Sequence, residues 1–159
     1  MEKYEAKEVN WEEQREMLID FTALQMPKLH QQLTIAYGEE KGQEIYDKIW
    51  EMEFQMRSAQ VMGKDVGEVL LAEMEIFPTL GWKLWIEKRE ENGATYWLEH
   101  LQHCPPLAAC KKYGLPDPCA IICDAEIKLA EENKIGKWER LKHVPSGDEE
   151  CCFKIKNFE

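Results

Sequence analysis

At 159 residues, 44% of them hydrophobic and 32% charged, the chain is long enough for one compact domain with a sizeable core. A formal net charge of −11 opposes phosphate backbones and anionic bilayers unless a basic patch gathers locally. The basic groups are short, Lys111-Lys112 and Lys137, Arg140 and Lys142, and read as solvated faces; no apolar run approaches the ~20 residues that span a bilayer.

The chain opens Met-Glu-Lys-Tyr-Glu-Ala-Lys-Glu, without the apolar segment of a signal peptide. We therefore expect a cytoplasmic protein, in which free thiols and metal ligands prevail over structural disulfides. Asn10, with Glu13 three residues on, marks a helix start, and Met17, Leu18, Phe21 and Leu24 follow at helical spacing. Pro27 should end or kink this helix, because it lacks an N–H and crowds the preceding turn; helix resumes through Leu29 and Leu33 to Tyr37-Gly38. A long helix is predicted from Glu39 to Met62, with one apolar row at Ile45, Ile49, Met52 and Met56 and another at Tyr46, Trp50 and Phe54. Such a wide stripe fits a core helix packed on two neighbours; a row lining a ligand pocket is the other reading. Asp65 caps a third amphipathic helix through Val66, Val69, Leu70 and Phe77, ended by Pro78 and Gly81.

The period then changes. Trp82, Leu84 and Ile86 alternate with Lys83, Trp85 and Glu87, as in a strand, and Asn92-Gly93 is a hairpin turn leading to a return strand over residues 95–101. Pro105-Pro106 starts a short helix that stops near Tyr113-Gly114. Asp117-Pro118 caps and begins another, which carries Cys119 and Cys123 to about Glu132. Residues 134–144 and 151–158 make a second hairpin around Pro145-Ser-Gly-Asp148, with Cys151, Phe153 and Ile155 on one face and Cys152 on the other. The expected fold is α+β: a helical part over residues 1–79 and a cysteine-bearing part over 80–159. The two form a single domain in which two hairpins make one four-stranded antiparallel sheet with helices on one face.

The six cysteines are spaced Cys104-x5-Cys110-x8-Cys119-x3-Cys123-x27-Cys151-Cys152. This matches neither a two-knuckle zinc ribbon nor a ferredoxin run. The predicted elements nevertheless draw four together. Cys104 lies past a strand end, Cys119 and Cys123 are i, i+4 on a helix, and Cys151 begins an inward-facing strand. Four thiolates suit a tetrahedral zinc site or an iron–sulfur cluster, with His100 or His103 able to replace one. Cys110 and Cys152 are then spare, and the bland alternative is that the thiols are small buried core residues. A nucleophilic reading makes Cys119 the attacking thiol, its ionisation favoured by the first turn of a helix, with His100 or His103 as base and Asp124 orienting the base or binding substrate.

His-Cys-Pro at 103–105, Tyr-Gly-Leu-Pro at 113–116, Cys-x3-Cys-Asp at 119–124 and Gly-Asp-x-x-Cys-x-Phe at 147–153 occur in this order. The combination resembles the L-2-amino-thiazoline-4-carboxylate hydrolase family over residues 80–158, with a weaker match around Tyr37-Gly38-Glu39-Glu40. That family is similar in turn to 4-vinyl reductase domains. The resemblance implies hydrolytic opening of an aminothiazoline ring, or small-molecule binding with zinc held by cysteines. The late Gly-x3-Cys element, Gly147 to Cys151, implies Cys151 rather than Cys152 as ligand. The acidic zinc ligand of some such domains has no counterpart; Arg140, Lys142 and His143 stand in that region, and the extra Cys110 and Cys152 point toward an iron–sulfur variant.

We therefore expect a metal-binding protein in which Cys104, Cys119, Cys123 and Cys151 hold zinc or an iron–sulfur cluster beside a Trp/Met-lined small-molecule pocket. In the hydrolytic case a metal-bound water or Cys119 is the attacking group, with His103 and Asp124 as its catalytic partners; in the alternative the chain is a non-catalytic binding or interaction module with a structural metal. The expected partner is a small molecule rather than nucleic acid or membrane, with a homo-oligomer left open.

Overall fold

The computed structural model describes residue 4 and residues 6–158. Four helices come first: α1 (Trp11–Ala23), α2 (Gln25–Tyr37), α3 (Glu39–Ser58) and α4 (Val66–Ile76). Strands β1 (Lys83–Glu91) and β2 (Ala94–His103) follow, then α5 (Pro105–Tyr113), α6 (Ala125–Glu132), β3 (Lys137–Lys142) and β4 (Cys151–Lys156). The strands form one antiparallel sheet in the order β1-β2-β4-β3, so the fold is the α+β arrangement of two hairpins read from the sequence. No helix among the described residues is long and apolar enough to cross a membrane.

Local chemistry accounts for the boundaries. Asn10 Oδ1 accepts from Glu13 N at 2.9 Å and Asp65 Oδ1 from Gly67 N at 2.8 Å, so each side chain satisfies an N–H that the first helical turn leaves without a partner. The break ahead of Pro27 falls at Leu24, and the proline sits inside the first turn of α2, where its missing N–H does no harm. Asn92 and Gly93 both adopt positive φ, 54° and 80°, and close the first hairpin with Glu91 opposite Ala94.

The main core lies between the sheet and α4. Val66 and Leu70 pack against Leu101, Cys151, Phe153 and Ile155, with Leu84, Ile86, Trp97, Ile127 and Trp138 around them. Asn157 fastens the end of β4 to the start of α4: its Oδ1 accepts from Val66 N at 2.8 Å and its Nδ2 donates to Asp65 at 2.6 Å. Of the two apolar rows on α3, Tyr46, Trp50 and Phe54 are buried, while Met52 and Met56 are exposed. The apolar face of α1 is likewise uncovered at Met17, Leu18 and Phe21. Both rows mark helices correctly and overstate how much of each helix is covered.

Gly67 is the tightest approach in this core, because a Cβ there would lie 2.1 Å from the Trp97 ring. Gly67→Ala is expected to destabilise the fold by about 1–3 kcal/mol, despite the better helix propensity of alanine. Urea unfolding with an unchanged denaturant midpoint would contradict this packing.

Candidate functional site

Cys104, Cys119 and Cys151 lie near one another at one end of the sheet, and Cys123 adjoins Cys119. Cys104 follows directly on β2 and keeps an extended backbone before α5 begins. Asp117 Oδ1 accepts from Cys119 N at 2.8 Å and so starts the next turn. That turn, Ala120–Asp124, is not α-helical. It is a π-helical turn, in which Asp124 N donates to Cys119 O at 3.0 Å across five residues. The Cys119 and Cys123 thiols nevertheless meet and share a hydrogen bond. Cys151 opens β4 on the inner face, and its Sγ accepts from Val144 N at 3.4 Å. Cys110 packs in a separate small core with Leu24 and Ala109.

The electrostatics of these thiols reflect their closeness. Burial, with Cys119, Cys151 and Cys110 nearby, pushes Cys104 up to about 12 against the pull of the Leu107 N–H. Cys119 is raised well above the thiol range by Cys123, burial and Asp117. That reverses the expected helix-start activation of Cys119, because acceptors crowd the sulfur more strongly than one turn of backbone dipoles stabilises a thiolate. Cys151 is raised by burial and then by Cys119, against the Val144 N–H and Arg140. A bound cation reverses such shifts, since it favours the thiolate at every ligand. The donor types therefore suit a thiophilic metal. As the side chains stand, however, no three His, Cys, Asp or Glu groups among the described residues enclose an ion position.

The other predicted residues are placed differently. Asp124 is exposed and ion-paired with Arg140 at 2.6 Å, and His103 is exposed at the end of β2. His100, expected as an alternative ligand or base, is held on the opposite face of the sheet. Its Nδ1 lies 2.9 Å from Glu150 Oε1 and its Nε2 lies 4.0 Å from Cys152 Sγ.

Farther along the inner face is a polar set that the sequence reading passed over. Glu99 sits between the inward positions Trp97 and Leu101 of β2 and is only 7% exposed. Burial and then Glu126 raise its carboxyl to about 7; burial, Glu99 and Glu126, against Arg57, raise Glu73 of α4 to about 8. Arg57 bonds Glu126 at 3.1 Å and lies over the Trp50 ring, whose buried Nε1 has no acceptor; nor has the buried Nε of Arg140, whose guanidinium lies over Phe153. The available signal was the alternation itself, which puts an acid at an inward strand position. No protein-family model matches the chain, and no curated protein does.

An acid whose folded pKa exceeds its unfolded value of 4.5 adds stability in full below 4.5 and loses it as pH rises through the folded pKa. Stability contributed by Glu99 and Glu73 therefore declines between pH 4.5 and 8. We expect urea unfolding to report a loss of about 1–3 kcal/mol from pH 5 to 8.5, shallower in Glu99→Gln, which stays neutral, and largely flattened when Glu73→Gln is added. A wild-type curve that rises over this window would contradict the assignment.

Proposed function

We propose that the chain is a cysteine-ligated metal protein, in which Cys104, Cys119, Cys123 and Cys151 hold zinc or an iron–sulfur cluster beside a buried groove that takes a small molecule. The observation that supports this reading is the nearness of Cys104 and Cys151 to Cys119, which adjoins Cys123, with Cys110 also close to Cys104 and Cys119 but packed in the small core with Leu24. Isolated core cysteines have no such neighbours. The groove part rests on Trp50 Nε1 and Arg140 Nε, buried donors without acceptors, and on the buried acid Glu99. Such groups are costly unless a ligand completes them.

When bound, the metal would tie the end of β2, the π turn and the start of β4 together, or act as a Lewis acid toward a substrate oxygen. A set of four thiols fills a tetrahedral site, which favours the tying role and a non-catalytic ligand-binding module. Hydrolysis of a C–N bond in a small ring, with Cys119, His103 and Asp124 in attendance, rests on the family resemblance.

Aerobic and anaerobic purification followed by metal analysis tests the proposal. About one zinc per chain in a colourless protein, or iron with sulfide and absorbance near ~400 nm, is expected. Cys119→Ala and Cys151→Ala should each lose metal and lower the melting temperature, whereas Cys110→Ala should keep its metal. No metal in either preparation and no zinc uptake by the reduced protein would overturn it. Turnover of aminothiazoline carboxylate by the loaded protein, lost in Cys119→Ala, would select the hydrolytic form; no turnover would select the binding module.

A further inference from the structure

The outer face of the sheet holds a second group of reactive side chains. Trp85, His100 and Cys152 occupy one row across β1, β2 and β4, with Lys142 of β3 beside Cys152. Glu150, just ahead of β4, reaches back to His100 Nδ1 at 2.9 Å and also accepts from Lys142 Nζ at 2.8 Å. Glu150 Oε1, already the acceptor for Lys142, is the acceptor toward the ring as well. His100 Nδ1 must therefore donate to it. In the neutral ring Nε2 is then the bare nitrogen, and it is the atom facing Cys152 Sγ, at 4.0 Å. Trp85 stacks on the imidazole at 3.7 Å with an interplanar angle of 6°, which fixes the ring plane.

We propose that Cys152, His100 and Glu150 form a thiol acyl-transfer site on the outer face, taking small activated acyl compounds such as esters and thioesters. Cys152 Sγ bonds to the acyl carbon while His100 Nε2 takes the thiol proton. The bond to the leaving group breaks, and the leaving group departs with that proton from His100. Water then attacks the thioester, gives a proton to His100, and the carbon–sulfur bond breaks as the thiol takes the proton back. The net reaction is hydrolysis, with no redox partner. Cys152 and His100 are the catalytic residues, and Glu150 is a positioning residue that selects the tautomer. Cys152 is only 2% exposed, which limits the acyl group to a small one.

The test is acylation of the full chain by p-nitrophenyl acetate, followed by p-nitrophenolate release, intact mass and peptide mapping. Acetyl is expected on Cys152 and absent in Cys152→Ser, which keeps the side-chain volume. His100→Asn should slow acylation at saturating reagent by on the order of 10²-fold or more. Glu150→Gln should slow it at unchanged half-saturation, and Glu150→Asp should recover part of the rate, a pattern a merely structural role would not give. Acetyl confined to the inner thiols, or acylation of Cys152 at the wild-type rate in folded His100→Asn, would overturn the proposal.

Discussion

Both candidate sites depend on the register in which β2 pairs with β4. Leu101 lies opposite Cys151, His100 opposite Cys152 and Glu99 opposite Phe153. Successive strand side chains point to opposite faces, so this one pairing sends Cys151 and Glu99 inward and His100 and Cys152 outward. A slip of one residue would exchange the faces, setting a histidine against Leu70 and turning the inner thiol to the other side. The core prevents it. Ile155 is fully buried and Phe153 nearly so, packed with Val66 and Leu70, and Asn157 clamps the strand end to the first turn of α4. Chemistry on two faces thus rests on apolar packing on one.

The inner face carries polar groups that this packing alone does not call for. An ionised carboxylate without a partner in such a place faces a desolvation penalty far larger than the ~3–4 kcal/mol that holding a glutamic acid neutral at pH 7 requires. The neutral form therefore wins at Glu99, which is what its raised pKa expresses. The same region contains two nitrogen donors without acceptors. An apolar residue at position 99 would pack with Trp97 and Leu101 at no such cost, so the fold itself does not account for the acid.

Much of the fold was readable because its signals are local. Asn10 and Asp65 cap where helices start, Asn92-Gly93 turns the hairpin, and the alternation of Cys151, Phe153 and Ile155 assigns the inner face. Periodicity could not tell how far each apolar row is covered, because coverage depends on neighbours distant in sequence; Met52 and Phe21 obey helical spacing and remain exposed. The π turn at Ala120–Asp124 was hidden for a related reason. A five-residue hydrogen bond leaves the thiols at positions 119 and 123 adjacent, as an α-helical turn would, so spacing cannot separate the two. The Cys152–His100–Glu150 arrangement requires strand register, and a residue-by-residue reading of cysteine spacing treats Cys152 as spare.

The register also bears on which metal chemistry the inner site can support. A histidine in the set would harden it and suit a zinc ion with an open position. His100 is withheld from that role, since its ring lies beyond the sheet, with Glu150 on one nitrogen, Cys152 near the other and Trp85 against its face. Asp124, the acid nearest in sequence to Cys123, is bound to Arg140, and the thiol of Cys110 belongs to the small core with Leu24. The four sulfurs lie on three segments, the end of β2, the Asp117 turn and the start of β4, which the β2–β4 pairing and that turn position. An all-sulfur set is soft and closed. It suits zinc in a structural role or an iron–sulfur cluster, and it leaves acyl chemistry, if the chain performs any, to the thiol on the other side of the sheet.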